Sequence, residues 1–326
     1  MDSGEGRLAG HGAAESAGLS AGSSAGSSAA SRARLVLDAC DRNLASYLEF
    51  LASTSAGGRV ERGDGYLCFA GAHEYPGTYT NGVIRTDEAS GGRTPAELLA
   101  RADAFFGSLG RSYVAWVRTH RDADLDRELQ RRGVFVRPPA EGSEAVVMER
   151  HEFEPGPTPD GVRVAEADDD DQLREFLLLV ASCYSMPEAE LGLAEGVLFS
   201  VESLRHPDNH VYVARDLETG ALLGGVTVYV SGQVGYLAWA VTDPLARGRG
   251  IGRFLFRHAA REAFAADASI AWGVASQVGA PIWRSIGFET VSRYKRYVVP
   301  APDAVGGPAS SPARRPRRGA RLQVSP

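Results

Sequence analysis

The sequence predicts an α/β protein: a mixed twisted sheet flanked by helices, built as two tandem units. Three observations carry this. The length of 326 residues suits about two domains at roughly 150 residues each. In the second half, strand-like and helix-like stretches follow one another as β-α-α-β-β-β-α-β-α-β; hairpins join the middle strands and helices the later ones, so strand direction is mixed. The first half repeats this order in weaker form. With 44% hydrophobic and 23% charged residues, most of the chain can bury a core.

Taken in order, residues 1–33 are Gly, Ser and Ala with scattered charges and too little apolar surface to offset chain entropy, so a disordered tail is expected. Two GxSxG matches there, Gly18–Gly22 and Gly22–Gly26, lack the strand before and helix after the serine that a nucleophile elbow requires, and reflect composition. The first unit, 34–150, reads as a helix over Arg34–Ser53, then strands at Arg59–Glu61, Tyr66–Ala72 and Thr80–Thr86. A helix Pro95–Leu109, a strand Ser112–Val117, a helix Asp122–Arg132 and a closing strand Glu144–Glu149 follow. Three prolines in residues 151–160 (Pro155, Pro157, Pro159) mark a linker.

The second unit, 161–299, opens with a strand at Val162–Ala167. The acidic run Asp168–Asp171 next to an apolar-periodic stretch suits a helix N-terminus, and it lacks the glycine and spacing of a calcium loop. That helix runs to Cys183, and a second is expected at Glu188–Leu204. Strands follow at His210–Arg215, Leu222–Val230 and Gly235–Thr242, then a helix from Gly250 to Ala266. A strand Ser269–Ala275, a short helix Gly279–Ile286 and a last strand Thr290–Val299 complete the unit. From residue 300 the chain is Pro-, Ser- and Arg-rich and reads as a second tail.

Charge and composition narrow the function. The formal charge is −6, but the last 26 residues hold five Arg and one Asp, a net of +4, which leaves −10 on the rest. An acidic body gives no support for nucleic-acid binding by the folded part. Cys40, Cys68 and Cys183 are far apart with no CxxC pair, which argues against a disulfide scaffold or thiolate zinc site. No apolar run approaches the roughly 20 residues of a membrane span, and the N-terminus has no signal-like apolar region, so the expectation is a cytoplasmic protein without a membrane partner. Lys295 is the only lysine beside 34 arginines, which with the abundant Ala and Gly suits the codon bias of a GC-rich, bacterial genome. His206 and His210 are four apart, but Pro207 breaks the helix that would align them, so no metal site is expected.

The chemistry concentrates in Ala240-Val-Thr-Asp-Pro-Leu-Ala-Arg247-Gly-Arg-Gly-Ile-Gly252. A strand ends near Thr242, Pro244 turns the chain, and a helix opens into Arg247–Gly252. Glycines at 248, 250 and 252 let backbone approach a ligand closely, and free N–H groups at a helix start favour an anion. Arg247 and Arg249 add positive charge. The spacing is neither that of a Walker A loop nor of a dinucleotide fingerprint.

This stretch resembles the GNAT superfamily of acetyl-coenzyme A-dependent N-acyltransferases, whose [Q/R]xxGx[G/A] hallmark is met by Arg247-Gly-Arg-Gly-Ile-Gly252. The later block Ala275-Ser276 to Trp283-Arg-Ser-Ile-Gly287-Phe288 is similar to the family's strand, Asn-like position and short helix ending in Gly-Phe. The resemblance covers about residues 161–299. It implies acetyl-CoA as acyl donor, direct transfer to a primary amine, and splayed fourth and fifth strands that admit the pantetheine arm. It implies that Ala240 and Val241 meet that arm through their backbone, that Arg247, Gly248, Arg249, Gly250, Ile251 and Gly252 hold the pyrophosphate, and that Ser276 takes the Asn position. A homodimer is compatible with it. Arg253, Arg257 and Arg261 repeat along one helix face and read first as solvated.

The departures from the family bear on catalysis. Trp283 stands where members often carry the tyrosine proposed to protonate the leaving thiolate, and indole supplies no proton at neutral pH. Tyr294 and Tyr297 are the weak substitutes on the last strand, with water as the other. Asp243 and Glu202 are conceivable bases that read first as turn and helix-surface residues. Cys183-Tyr184 lies at a helix end near where acceptors enter in this family, with a buried thiol as the first reading. Two alternatives stay open: a non-catalytic acetyl-CoA-binding sensor or regulator, and an acyltransferase using a longer acyl-CoA.

The first unit has Thr86-Asp-Glu-Ala-Ser-Gly91-Gly92-Arg93-Thr94-Pro95 where the cradle belongs, with two acids and the wrong spacing. It is expected to be a degenerate GNAT-like unit that binds no coenzyme and supports the second or shapes its acceptor pocket. Leu129-Gln-Arg-Arg-Gly133-Val resembles a worn helix-to-Gly-Phe block, and Ala145–Glu149 fits a last strand. Aromatics in Tyr75–Tyr79 read first as loop packing.

Overall fold

The computed structural model describes residues 18–74, 77, 79–86, 93–184 and 200–301. Helix α1 (Gly18–Thr54) leads into strands β1 (Arg59–Gly63), β2 (Tyr66–Ala70) and β3 (Asn81–Arg85), then α2 (Pro95–Gly107), β4 (Tyr113–Arg118) and α3 (Ala123–Arg131). The short β5 (Phe135–Val136), absent from the sequence reading, and β6 (Ser143–Glu149) end the first unit. The second holds β7 (Val162–Glu166), α4 (Asp170–Cys183), α5 (Val201–Leu204), β8 (Asn209–Asp216), β9 (Leu222–Ser231) and β10 (Val234–Thr242). It closes with α6 (Ile251–Ala265), β11 (Ile270–Ala275), α7 (Ala280–Arg284) and β12 (Glu289–Val299).

All the described strands join one twelve-stranded sheet, whose main path runs β1-β2-β3-β4-β12-β6-β11-β10-β9-β8-β7, with β5 on β12. Each unit contributes one parallel pair in the same relative place, β3 with β4 and β10 with β11. The closing strands are exchanged. β6, expected to complete the first unit, pairs antiparallel with β11 of the second along Glu144–Glu149. β12 pairs antiparallel with β4 of the first unit from Tyr294 to Val299. The two exchanged strands also pair with each other and weld the halves. Hydrophobic alternation gives a strand its buried faces, but it does not choose which open edge the strand covers. The division at 150/161 therefore marks sequence units and not separable sheets.

Two further expectations change. Helix α1 extends back to Gly18, into the segment read as a disordered tail. Its described apolar face, Val36, Cys40, Leu44, Tyr47, Leu48 and Leu51, follows the helical repeat and is buried across both units. Asn43 ties it to the second unit: its Nδ2 donates to the Val234 carbonyl (3.2 Å) and its Oδ1 accepts from Trp272 Nε1 (2.8 Å). The 151–160 segment does not hang free as a linker. Phe153 packs edge-on against Phe264 of α6 (5.6 Å between ring centroids), and Gly156 lies so close to Arg257 that a Cβ there would meet Nη1 at 2.4 Å. The expected helix Glu188–Leu204 is seen only in α5, and residues 188–199, the tail beyond 301 and residues 87–92 lie outside the described residues.

Because of the exchange, residues 161–301 alone have an unpaired β11 edge and a β12 without β4. Expressed by themselves, they are expected to show no cooperative melt as a monomer, as size-exclusion chromatography and circular dichroism would report.

Candidate functional site

The cradle forms where β10 ends. Asp243 caps a 3-10 turn over Pro244–Ala246, its carboxylate accepting from the Leu245 N–H at 2.8 Å, so it serves the turn and not as a free base. Arg247 is extended, Gly248 has φ 82° and Gly250, at the start of α6, has φ 80°. Side chains rarely adopt that left-handed conformation, and a Cβ built on either glycine meets nothing within 4 Å, so the loop presents bare backbone outward. No side chain caps α6, whose first N–H groups are left open by helix geometry. Arg247 and Arg249 are exposed, Arg249 lying 3.5 Å from Asp216.

The first unit closes the corresponding position. Thr94 and Glu97 form a capping box on α2: Thr94 Oγ1 accepts from the Glu97 N–H (3.3 Å), and the Glu97 carboxylate accepts from the Thr94 N–H (2.9 Å). The helix start already holds an anion of its own. A shallow cavity of about 320 Å³ between α2 and α3 lies beside it, lined by two acids, Asp124 and Glu128, and two arginines, Arg127 and Arg131. The helix start at this fold position is thus uncapped by side chains in the second unit and capped by Thr94 and Glu97 in the first.

Beside the cradle, β10 leaves its neighbour. Its pairing with β11 runs only from Val234–Ile270 to Tyr236–Trp272. On the other side its register with β9 shifts between Ala238 and Val241, placing Trp239 and Ala240 in a bulge. Trp239 takes φ 52°, an outlier for a bulky side chain that persists where packing fixes it. Tyr47 of α1 does so, accepting from Trp239 Nε1 at 2.9 Å. The rings of Tyr184 and Tyr79 stand 5.6 and 5.1 Å from that of Trp239, and the Tyr79 hydroxyl is 2.9 Å from that of Tyr236. Tyr79 comes from the first unit, so both units build this aromatic wall. In sequence, β10 reads as an unbroken apolar strand, which hides the bulge at Trp239.

The remaining candidates fall into place plainly. Ser276 is exposed and its Oγ accepts from the Gly279 N–H at 3.1 Å, starting α7. Trp283 is buried between Phe256 and Phe288, with centroids 4.0 and 4.6 Å away, so it belongs to the core. Tyr294 and Tyr297 are not brought to the cradle: carried by β12 into the first unit, they donate to Asp41 (2.6 Å) and Asp126 (2.5 Å). Burial and its carboxylate partner push the Tyr297 phenol up to about 12, so both tyrosines drop out as proton donors there. Glu202 is exposed on α5. Burial raises the Cys183 thiol, with Arg247 partly opposing, so no reactive thiolate stands there. His210 bonds Glu166 (2.7 Å), while His206 accepts from the Asp208 N–H. Among the described residues no cluster of three His, Cys, Asp or Glu could hold a metal, and no helix is long and apolar enough to cross a membrane.

Residues 173–284, which contain the cradle, the splayed strands and α7, match the model of the acetyltransferase (GNAT) family. The chain carries a GNAT domain. Solved structures share its fold over most of the chain. A GCN5-related N-acetyltransferase from Kribbella flavida superposes with a TM-score of 0.60 at 16% identity, over 79% of this chain and 94% of that one. A tandem GNAT protein from the clavulanic acid biosynthesis pathway gives 0.53 at 13% identity, over 78% and 85%. A GCN5-related N-acetyltransferase from Sphaerobacter thermophilus gives 0.50 at 14%, over 72% and 76%. At these identities the likeness is one of fold, and its coverage of 72–79% of the chain takes in both units. No curated protein matches the chain significantly.

Proposed function

We propose that the protein is an acetyl-CoA-dependent N-acetyltransferase that works through its second unit. One observation carries the reading: the uncapped, glycine-lined start of α6 lies at the end of β10, just where that strand has parted from β11. Gly248–Gly252 would hold the pyrophosphate by backbone N–H groups, with Arg247 and Arg249 beside it. Ala240 and Val241, at the bulge, would bond the pantetheine arm. The thioester supplies the activated acyl group. The protein's share is to hold amine and thioester together in a site walled by Trp239, Tyr184 and Tyr79, a proximity effect that needs no dedicated side-chain acid.

A second reading has its own support. Trp283 packs in the core and both β12 tyrosines are committed to carboxylates, which suits a protein that binds the coenzyme without turning it over. Calorimetric titration with acetyl-CoA, followed by thiol release across a panel of primary amines, separates the two. Micromolar binding with release on at least one amine is the expected result; tight binding with no release on any acceptor would establish the sensor instead. Failure to bind coenzyme would sink both.

A further inference from the structure

Strand β12 carries three basic residues on its paired stretch, and they are treated differently. Arg293 lies 3.4 Å from Glu144, and Lys295 2.7 Å from Asp126. Arg296, partly buried, reaches no carboxylate among the described residues; its one side-chain hydrogen bond goes to Ser143 Oγ at 2.5 Å. Arg137 is its neighbour across the strand gap, the Arg137 backbone N–H donating to the Arg296 carbonyl (2.8 Å), and its charge opposes that of Arg296. Sequestering a guanidinium from water without a counter-ion is unfavourable, and a like charge beside it makes it more so. Burial accordingly lowers the Arg296 pKa, and Arg137 lowers it further.

Arg296 also has a defined place. Its register partner on β4 is Trp116, whose ring stands 5.7 Å from that of Tyr79, and Tyr79 in turn packs on Trp239 at the bulge. The positive group therefore belongs to the strand pair beside the aromatic wall, two rings away from Trp239 at the point where β10 and β11 part. A guanidinium offers two parallel N–H donors matched to a carboxylate or phosphate. We propose that Arg296 binds an anionic oxygen group on the acceptor, so that the substrate is a small amine bearing a carboxylate or a phosphate. This rests on the transferase reading above and names its substrate class.

The experiment uses the full chain with coenzyme A bound and matched product mimics, read by ligand-observed NMR titration. N-acetyl-β-alanine against its amide tests carboxylate; N-acetyl-O-phosphoethanolamine against N-acetylethanolamine tests phosphate. In at least one pair the anion is expected to bind about tenfold or more tighter than its neutral twin, the size of one charged hydrogen-bond pair. Arg296→Gln is expected to erase that preference with coenzyme A affinity unchanged, and Arg296→Lys to restore part of it. Equal binding within both pairs, no detectable binding of any mimic, or a preference that survives Arg296→Gln would overturn the proposal. Absence of coenzyme A binding to the unaltered protein would instead remove the transferase reading beneath it.

Discussion

Gly250→Trp is expected to abolish measurable coenzyme binding while the protein remains folded. Gly250 starts α6 with φ 80°, and a Cβ there points into open space, so the indole has no core to disrupt. The backbone cost is that of an L-residue held in the left-handed region, about 1–2 kcal/mol. The functional cost is larger, because the side chain projects over the N–H groups proposed to meet the pyrophosphate. Each hydrogen bond to a charged group is worth roughly 1.5–3 kcal/mol, so losing two lowers affinity by about 100-fold or more. Gly232→Ala is the matched control: Gly232 has φ 60° in the β9–β10 turn and equally open surroundings. It imposes similar strain, and coenzyme titration should find its affinity unaltered. If both variants bind alike, the cradle is not the binding site.

That prediction was available from sequence, because the cradle is local. Arg247–Gly252 lies within one turn of chain, its glycines announce special backbone, and most helix and strand limits agree with the residues that pattern them. What stayed hidden depends on partners far away along the chain. Nothing in Thr290–Val299 says that β12 pairs with β4 and not with β11, since both edges ask for the same apolar alternation. The strand's sequence therefore offers Tyr294 and Tyr297 as weak proton-donor candidates without placing them, and their hydroxyls end on Asp41 and Asp126. Trp239 has the same cause in miniature: a bulge is set by the register with β9, which leaves no mark on an apolar run. Arg296 was invisible for the complementary reason. A basic residue in a strand reads as surface, and only the three-dimensional neighbourhood reveals that no carboxylate among the described residues answers it.

Arg118→Leu is expected to cost about 3–5 kcal/mol, the range for breaking a buried ion pair by removing one partner. Arg118 is 1% exposed at the end of β4. Its Nε and Nη2 donate to the two Asp122 oxygens, each at 2.9 Å, and its Nη1 reaches Asp41 Oδ2 at 3.3 Å. Asp41 of α1 also accepts from Tyr294 of β12 (2.6 Å) and meets His120 Nε2 at 3.1 Å. One guanidinium thus ties the N-terminal helix to the exchanged strand, and its loss strands two buried carboxylates. Urea unfolding should show a lower midpoint, whereas Arg131→Ala, which removes an exposed Glu128 pair, should leave the midpoint in place. The pH dependence follows from the same contacts. Burial pushes the Asp41 carboxyl up, but the His120 hydrogen bond and the charge of Arg118 more than offset this and hold it below the ordinary value. A carboxyl depressed in the folded state adds stability that is fully present above its unfolded pKa of about 3.9, and that is lost as pH falls through the folded value. Asp41→Asn should therefore flatten the part of the acid-unfolding curve below about pH 4. An unchanged acid limb in Asp41→Asn, or an unshifted urea midpoint in Arg118→Leu, would show that this cluster does not hold the two units together.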